Sequence, residues 1–458
     1  MRRSVATARS PASHEIERAS ASDLAMLAMD AGAVPQHIGA VLTLDAGPEF
    51  DLSTAERLIA ERIRSVPRLR QRLVRVPPGC GRPVWVDDDG FDIRRHVRCL
   101  RCPSPGDERA LLDLAAAVVA EPLPRSRPLW SAAFVTGLAG SEVALVIVFH
   151  HVLADGIGGL AVLASLVDQA AGLPSAEFPR RPPTHLQLAV QAFRSRLHAL
   201  SRLPAALRTV RASIGAAGGL HPFRAAQCSL LQPTGPRRRL AAVRADLAAL
   251  AAVAHRHDAT INDAILAAVT GALHTLLRGR GEAVDNLAAT VPVAGRRSAS
   301  GAQPGNQIGA MLVVLPTAGD PLQRLRRIAA VVRARKASVR VSPAIAVVAP
   351  LMRAAAALGV YHWFVNHQRM WHTVVSNVKG PDQRLTFGGA TVTTVVPMAV
   401  GDAGNVTVSF VALSYAGTLT ITVVADPDHV SDLPTLTGSL AAELAALASS
   451  RTTSTSRG

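Results

Sequence analysis

A short apolar run in the first half of the chain, residues 143–148, places the strongest restriction on the fold. The run is rich in Val, Leu and Ile and carries no charge, which predicts a strand with both faces buried. Two adjacent histidines, His150 and His151, stand where this strand ends. A glycine-rich turn at residues 156–159 follows, and a helical pattern begins at about Leu160.

The two histidines are predicted to have different tasks, because adjacent residues of a strand point to opposite faces. One imidazole is expected to face an open cleft and the other to pack inward. Histidine titrates at about pH 6.5, so the first can take a proton from a substrate hydroxyl and return one to a leaving group. Asp155 either holds a histidine or pairs with an arginine to fix the loop. Gly156 is expected to let the chain turn where a side chain would clash.

The length of the chain bears on the number of domains, and its net charge bears on the class of partner. A chain of 458 residues favours two domains or lobes. The net charge of +16 favours anionic partners, and 3% aromatic residues leave few stacking platforms for single-stranded nucleic acid. No helix-turn-helix or zinc-finger spacing is present, so no nucleic-acid partner is predicted. The charge is interpreted as serving a membrane surface or a phosphate-bearing ligand such as CoA; the alternative is an arginine-rich composition without specific meaning.

Cysteine usage and hydropathy predict neither a metal site nor a membrane span. The single C-x-x-C, Cys99 to Cys102, has no second pair, and few cysteines in a long chain suit a reducing compartment. Arg2 and Arg3 are not followed by an apolar stretch, so no signal peptide is predicted. No uninterrupted apolar run reaches the roughly 18 residues that a spanning helix needs.

Strand and helix patterns alternate in both halves of the chain. They predict an α/β (α+β) fold of two lobes, each a mixed sheet with flanking helices, and an active-site cleft or tunnel between the lobes. The predicted division is a disordered basic lead (1–19), a first lobe with the histidines (20–180), a basic helical connector (181–236), a second lobe (237–448) and a disordered tail (449–458).

The run from His150 to Gly156, His-His-x-x-x-Asp-Gly after a buried strand, resembles the active-site signature of the CoA-dependent acyltransferase superfamily. That superfamily includes chloramphenicol acetyltransferase-like enzymes and the condensation domains of peptide synthetases. Further segments resemble, in order, one family within it, the bacterial wax ester synthase/diacylglycerol acyltransferases. These segments are residues 22–24 with 36–39, 82–87 with 91–92 and 96–97, 128–130, 262–263 with 266–267, 291–293, 305–307, and 376–377 with 380–381.

Three positions depart from that family's pattern. The family usually has an aspartate where Pro124 stands, often a serine at Ala294, and commonly a proline at Lys379. None of the three is a histidine, Asp155 or Asn262. The departures therefore bear on substrate preference and activity level more than on the type of reaction.

The resemblance implies transfer of a long-chain fatty acyl group from acyl-CoA to an alcohol. Diacylglycerol would give triacylglycerol, and a fatty alcohol would give a wax ester. His151 would be the general base, His150 would support the site from the inward face, and the acceptor would attack the thioester with no acyl-enzyme. Asp155 would set the loop with a basic partner, for which Arg297 is a candidate. A serine nucleophile is disfavoured because the sequence has no Gly-x-Ser-x-Gly motif.

Further roles follow from the same resemblance, each beside a plainer alternative. Asn262 would donate a hydrogen bond to the oxyanion, with Asp263 in support; the alternative is that both cap a helix. The packing motif Pro128, Leu129 and Trp130 would support the site strand. Four residues would lie at the lobe junction near CoA or, alternatively, form only a strand end and a tight turn: Ser376, Asn377, Gly380 and Pro381.

The expected partners are acyl-CoA as co-substrate and a lipid alcohol, with no bound cofactor and no metal. The expected location is cytoplasmic, peripheral to the inner face of the membrane or to lipid bodies. Two other functions stay open. A condensation-type enzyme would use a carrier-bound thioester, although the segments at 128–130 and 262–263 argue against it. A non-catalytic lipid-surface protein of the same fold is the second, and the intact histidines argue against that.

Overall fold

Two six-stranded sheets and a two-stranded ribbon make up the strand architecture of the described residues. The computed structural model describes the chain apart from residues 1–15, 31–33, 48–50, 141, 154–155, 169–177, 202–223, 295–307, 339–354, 357, 401–403 and 451–458. The strands are β1 (His37–Asp45), β2 (Gln71–Val74), β3 (Val84–Asp87), β4 (Val97–Arg101), β5 (Trp130–Thr136), β6 (Glu142–His150), β7 (Arg239–Asp246), β8 (Asn286–Ala294), β9 (Ile308–Pro316), β10 (Thr373–Lys379), β11 (Thr386–Phe387), β12 (Ala390–Ala399), β13 (Val408–Tyr415) and β14 (Thr418–Ala425).

Ten α-helices accompany these strands in the same part of the chain. They are α1 (Ala21–Met29), α2 (Leu52–Arg62), α3 (Glu108–Ala120), α4 (Gly156–Leu166), α5 (His185–Ser201), α6 (Leu247–Arg256), α7 (Ile261–Gly279), α8 (Pro321–Ser338), α9 (Val360–His367) and α10 (Leu433–Ser449). Gly156, which the sequence places in a turn before the helix, is the first residue of α4, so the helix begins about one turn earlier than predicted.

The first sheet has the strand order β11-β12-β1-β6-β5-β4. Strand β6 lies inside it, and each of its residues from Ala144 to His150 is at most 2% exposed. The predicted doubly buried strand is therefore present, and its apolar side chains pack on both faces of the sheet. The second sheet, β7-β14-β13-β10-β8-β9, is mixed, since β10 runs parallel to both β8 and β13. The predicted fold class, mixed α/β with two sheet-based lobes, is confirmed.

The predicted boundaries need three corrections. Strands β11 and β12 lie within the predicted second lobe but belong to the first sheet, where β12 pairs with β1. The alternating pattern there predicts a strand but cannot say which edge it joins. Residues 16–19, predicted as disordered, pair with β3, and Ala19 is fully buried. Helix α10 includes Ser449, which the prediction assigns to the tail.

Strand β12 connects the two lobes, because it lies in the second half of the chain and pairs with β1 in the first sheet. The Tyr415 hydroxyl at the end of β13 donates a hydrogen bond to the carbonyl of Val392 on β12 (2.9 Å). It accepts another from the backbone N–H of Leu385 (2.8 Å). Leu413 and Tyr415 share one hydrophobic core with side chains of the first sheet. The ends of β10 and β13 therefore meet the first sheet.

Close approach of β1 and β6 requires a glycine at position 39. A Cβ atom there would overlap the carbonyl oxygen of Ile147 on β6 and press on the Met398 side chain. Gly39→Ala is expected to force the strands apart near the histidines and to lower the free energy of unfolding by about 1–3 kcal/mol. Urea unfolding measures this. Gly438→Ala is the matched control, since a Cβ on that helical glycine meets nothing within 4 Å; an unchanged midpoint in Gly39→Ala would contradict the account.

Candidate active site

His150, the last residue of β6, points inward. Its side chain is 3% exposed. The backbone N–H of Val152 donates to its Nδ1 atom at 3.0 Å, so Nδ1 carries no proton in this arrangement. The other nitrogen, Nε2, therefore carries the hydrogen and donates it to Oδ2 of Asp30 at 3.1 Å. Both ring nitrogens of His150 are thus engaged inside the protein.

Asp30, at the C-terminal end of α1, is the carboxylate beneath the histidines. Its Oδ2 also accepts a hydrogen bond from Arg125 (2.7 Å), and its Oδ1 accepts one from the backbone N–H of Gln36 (3.0 Å). Burial alone would raise the pKa of Asp30, but the hydrogen bond from His150 and then that from Arg125 outweigh it and lower the pKa to about 2. Asp30 is therefore ionised at neutral pH.

His37 on β1 pairs with His150 across the sheet and presents its ring edge to it, with the ring centroids 5.7 Å apart. Its Nδ1 donates to the carbonyl of Val119 at 2.9 Å. Burial lowers the pKa of His37 to about 4, an effect larger than the opposing one of the Val119 hydrogen bond. His37 is therefore neutral at physiological pH.

The depressed pKa of His37 predicts acid sensitivity of the fold. His37 takes up a proton at a lower pH in the folded state than in the unfolded state. Its contribution to the free energy of unfolding is therefore fully present above about pH 6.5 and is lost as the pH falls from there to about 4. The loss amounts to about 3 kcal/mol. His37→Asn, whose amide can still donate to Val119, is expected to remove most of this dependence. Urea unfolding at pH 7.5, 6 and 5 measures it; parallel slopes for the two proteins would contradict the prediction.

His151 stands one residue beyond β6 and is half-buried. Its backbone N–H donates to the carbonyl of Gln36 at 2.8 Å. Gln36 thus bonds Asp30 through its N–H and His151 through its C=O. Asp30 consequently fixes His150 directly and the backbone of His151 through one intervening residue.

Leu129 and Trp130 are buried behind the histidine strand, and Pro128 is buried beside them. The Leu129 carbonyl accepts the backbone N–H of His150 at 2.9 Å. The Trp130 indole donates to the carbonyl of Leu69 (2.7 Å), and its ring stacks on His96 with centroids 4.6 Å apart. These contacts hold the strand in place, as the packing role requires.

Asn262 and Asp263, at the start of α7, make different contacts. Asp263 forms a capping box with Thr260, accepting from the Thr260 N–H (2.8 Å) and hydroxyl (2.7 Å). The capping alternative therefore describes Asp263. Asn262 takes no part in this cap; it is half-buried, and its amide makes no hydrogen bond within the described part of the chain. That amide is the group of the pair that a ligand can reach.

Ser376 and Asn377 lie on β10, half-buried and paired with β13. Gly380 follows, and a Cβ there would overlap the carbonyl oxygen of Ser414, so only glycine fits. The Pro381 carbonyl accepts the backbone N–H of Ala416 at 3.1 Å. This strand end lies where the β13 turn meets the first sheet, which is the lobe junction; contact with CoA stays a prediction.

Several predicted features lie outside the described residues, including most of the lead (1–15), part of the connector (202–223) and the tail from residue 451. Asp155 and its candidate partner Arg297 are among them, as is the Gly-Asn-Gln segment at 305–307. Gly156 is described as the start of α4.

Comparison with known proteins decides the family. The model of the wax ester synthase/diacylglycerol acyltransferase catalytic domain matches residues 19–265, and that of the WS/DGAT C-terminal domain matches residues 304–448. A probable diacylglycerol O-acyltransferase of Mycobacterium tuberculosis is 35% identical over 414 residues, covering 86% of this chain and 87% of that protein. The chain belongs to the wax ester synthase/diacylglycerol acyltransferase family. It is an acyltransferase of that type, as the motifs predict.

Solved structures agree in fold. The wax ester synthase/diacylglycerol acyltransferase from Marinobacter aquaeolei is similar with a TM-score of 0.67 and 22% identity, covering 94% of this chain and 98% of that one. The first condensation domain of the calcium-dependent antibiotic synthetase is similar with a TM-score of 0.63 and 18% identity, covering 96% and 97%. The family resemblance and its expected two-lobed fold are therefore confirmed.

Asp30, His37 and Arg125 lie around the inward-facing histidine, and the sequence patterns did not identify them. Asp30 is 120 residues from His150, and no local spacing connects them. His37 lies in one of the segments that resemble the family, but the strand pattern gave it no role. The signal for His37 was its position at the start of an otherwise apolar strand, where a polar side chain is buried.

The described residues contain neither a side-chain cluster that could hold a metal ion nor a single helix that could cross a membrane. No group of three or more His, Cys, Asp or Glu side chains there could hold a metal ion, and Cys99 and Cys102 are free thiols. No single described helix is long and apolar enough to cross a membrane. Among the described helices, only α6 and α7 taken together have that length and apolar composition, and they are bent by 99° relative to each other.

Proposed function

We propose that this protein transfers a long-chain fatty acyl group from acyl-CoA to the hydroxyl of diacylglycerol, with His151 as the general base. The observation that carries the proposal is the division between the two histidines. His150 is buried and has both ring nitrogens engaged, whereas His151 is half-exposed at the end of the same strand. His151 is therefore the histidine that a substrate can reach.

The proposed reaction needs one proton carrier. The His151 imidazole takes the proton from the acceptor hydroxyl while the oxygen attacks the thioester carbonyl. The resulting tetrahedral oxyanion collapses, the carbon–sulfur bond breaks, and the imidazolium returns its proton to the CoA thiolate. Acceptor and donor thus become ester and free CoA, with no acyl-enzyme and no bound cofactor.

Asn262 is the proposed donor to the oxyanion. Support comes from its amide, which is neither part of the helix cap nor bonded elsewhere in the described residues. A donor of this kind contributes about 3–4 kcal/mol to transition-state stabilisation in other enzymes. Ser376, Asn377, Gly380 and Pro381 are proposed to line the CoA side of the junction.

Diacylglycerol is the proposed acceptor because the mycobacterial relatives are named as diacylglycerol O-acyltransferases. A fatty alcohol, giving a wax ester, is the second acceptor, supported by the family's other named activity. Both acceptors dissolve in lipid, so we also propose that the protein works at the inner face of the membrane or on lipid bodies.

Release of CoA thiol from palmitoyl-CoA tests the proposal. Dioleoylglycerol and hexadecanol are offered separately, and a parallel reaction contains no acceptor. Release that depends on an acceptor is expected, faster with dioleoylglycerol. A protein that transfers the acyl group only from a carrier-protein thioester would instead support the condensation-type function, and no transfer from either donor would support the non-catalytic one.

A further inference from the structure

Helix α5 carries apolar side chains on two sides. On one side, Leu188 (3% exposed) and Ala192 (4% exposed) are buried, and Leu188 shares a hydrophobic cluster with Cys80 and Val84 beside β3. Four further large apolar side chains among the described ones of this helix are exposed: Leu186 (74%), Val190 (42%), Phe193 (61%) and Leu197 (51%). We call these four residues the α5 stripe.

The α5 stripe is continuous along the helix. Its members are spaced by four, three and four residues, so they fall within roughly 60° of one another around the helix axis. Leu188 and Ala192 lie on the opposite side by the same geometry. Packing against the core therefore explains the buried side of α5 but not the stripe.

The helix is held rigidly against the body of the protein. The Arg18 guanidinium donates to the Gln191 side chain (2.7 Å) and to the carbonyl of Leu188 (2.9 Å) on α5, and to the carbonyl of Arg82 (2.7 Å) beside β3. The stripe is consequently presented outward on a fixed element.

Charge is arranged symmetrically about the stripe. Arg194 and Arg196 lie roughly 80° to either side of it on the helix. Helix α5 contains no Asp or Glu. Within the described residues neither arginine forms an ion pair, and neither does Arg181 ahead of the helix. These exposed cations are therefore available to an anionic partner.

An open groove runs beside the same side of the helix. Its volume is about 1010 Å³, and it is lined by Leu186, Val190 and Arg194 of α5 together with Trp85 and Arg181. Leu186 and Val190 of the stripe, together with Arg194, thus border this groove. Its two carboxylates, Glu17 and Asp87, are paired with Arg68 and Arg180.

We propose that α5 docks this protein on an anionic lipid surface, with the stripe in the acyl region and Arg194 and Arg196 at the phosphates. An apolar stripe flanked by cations, without acidic residues, is the arrangement of helices that lie in a membrane interface. The net charge of +16 acts in the same direction. The proposal rests on the proposed function for its purpose, since a lipid-dissolved acceptor must be reached at such a surface.

Sedimentation of the full-length protein with vesicles tests this without requiring acyl transfer. Phosphatidylcholine vesicles with and without 30% phosphatidylglycerol are compared. Wild type is expected to bind the anionic vesicles at least about tenfold more tightly, and added salt is expected to weaken that binding. Equal binding to both vesicle types would overturn the proposal.

Two sets of variants localise the surface. Val190→Ser with Phe193→Ser and Leu197→Ser, and separately Arg194→Glu with Arg196→Glu, are each expected to weaken anionic-vesicle binding by about tenfold or more. Arg278→Glu with Arg327→Glu removes the same charge from exposed sites on the second lobe and is expected to bind as wild type does.

Thermal unfolding shows whether each variant is folded. Folded stripe variants that bind as wild type does would overturn the proposal. So would a wild-type dimer that the stripe substitutions dissociate, because a second copy of the chain would then cover the stripe. Vesicle binding through α5 without acyl transfer would count against the proposed function alone.

Discussion

Replacement of His151 by alanine is expected to lower kcat/KM for acyl transfer from palmitoyl-CoA to diacylglycerol by about 10³-fold. The loss follows because the acceptor hydroxyl then has no base at the end of β6. His150 cannot substitute for it, since its Nδ1 accepts the Val152 N–H and its Nε2 donates to Asp30. Because His151 is half-exposed, the variant is expected to fold normally.

The control for this experiment is the urea midpoint of the same variant. An activity loss with an unchanged midpoint assigns the effect to chemistry. A His151→Ala protein that keeps more than about a tenth of wild-type kcat/KM would show that the base lies elsewhere. His150→Ala is expected to differ in kind, lowering both stability and activity, because it leaves the Asp30 carboxylate without its buried donor.

Removal of the Asp30 carboxylate is expected to have the second largest effect. Asp30→Ala leaves the His150 Nε2–H and the Gln36 N–H without an acceptor, and the free energy of unfolding is expected to fall by about 2–4 kcal/mol at pH 7. Activity is expected to fall as well, since Gln36 carries the backbone bond to His151. Asp30→Asn keeps one acceptor oxygen and is expected to lose less of both.

The pH dependence of the free energy of unfolding shows whether the ionised Asp30 carboxylate causes the loss of stability in Asp30→Ala. The pKa of Asp30 is lowered to about 2, so its contribution is complete above the unfolded-state value of about 4 and disappears as the pH falls to about 2. The stability difference between wild type and Asp30→Ala is therefore expected to shrink over that range. Arg125→Gln is expected to reduce this pH dependence far less than Asp30→Ala does, because Arg125 is 54% exposed and solvent screens its ion pair with Asp30. A difference that stays constant with pH would contradict this account.

The histidine strand shows what sequence alone could predict. The run at residues 143–148 within β6 is short, uncharged and rich in β-branched residues, and these properties predict its burial. The alternation of a strand then gives His150 and His151 opposite surroundings. The family motifs at 128–130 and 262–263 were also visible. The local pattern could not distinguish Asn262 from Asp263, because both residue types favour the first turn of a helix, and only the geometry of Thr260 shows which one caps.

Long-range pairing accounts for what sequence could not predict. The pattern of β12 predicts a strand, but its partner β1 lies some 350 residues earlier, and the local alternation of either strand does not identify the other as its partner. Asp30 meets His150 for the same kind of reason, since α1 is brought to the end of β6 by the fold. The exposed α5 stripe was visible only as a basic amphipathic pattern, because burial decides which of its two apolar sides faces the protein.

The most direct test of the central claim is identification of the product. Purified protein is incubated with radiolabelled palmitoyl-CoA and dioleoylglycerol, the lipids are separated by chromatography, and free CoA is measured in the same reaction. We expect labelled triacylglycerol and free CoA in equal amounts, and neither product when dioleoylglycerol is omitted. CoA released without an acceptor, or label bound covalently to the protein, would contradict direct transfer to the alcohol.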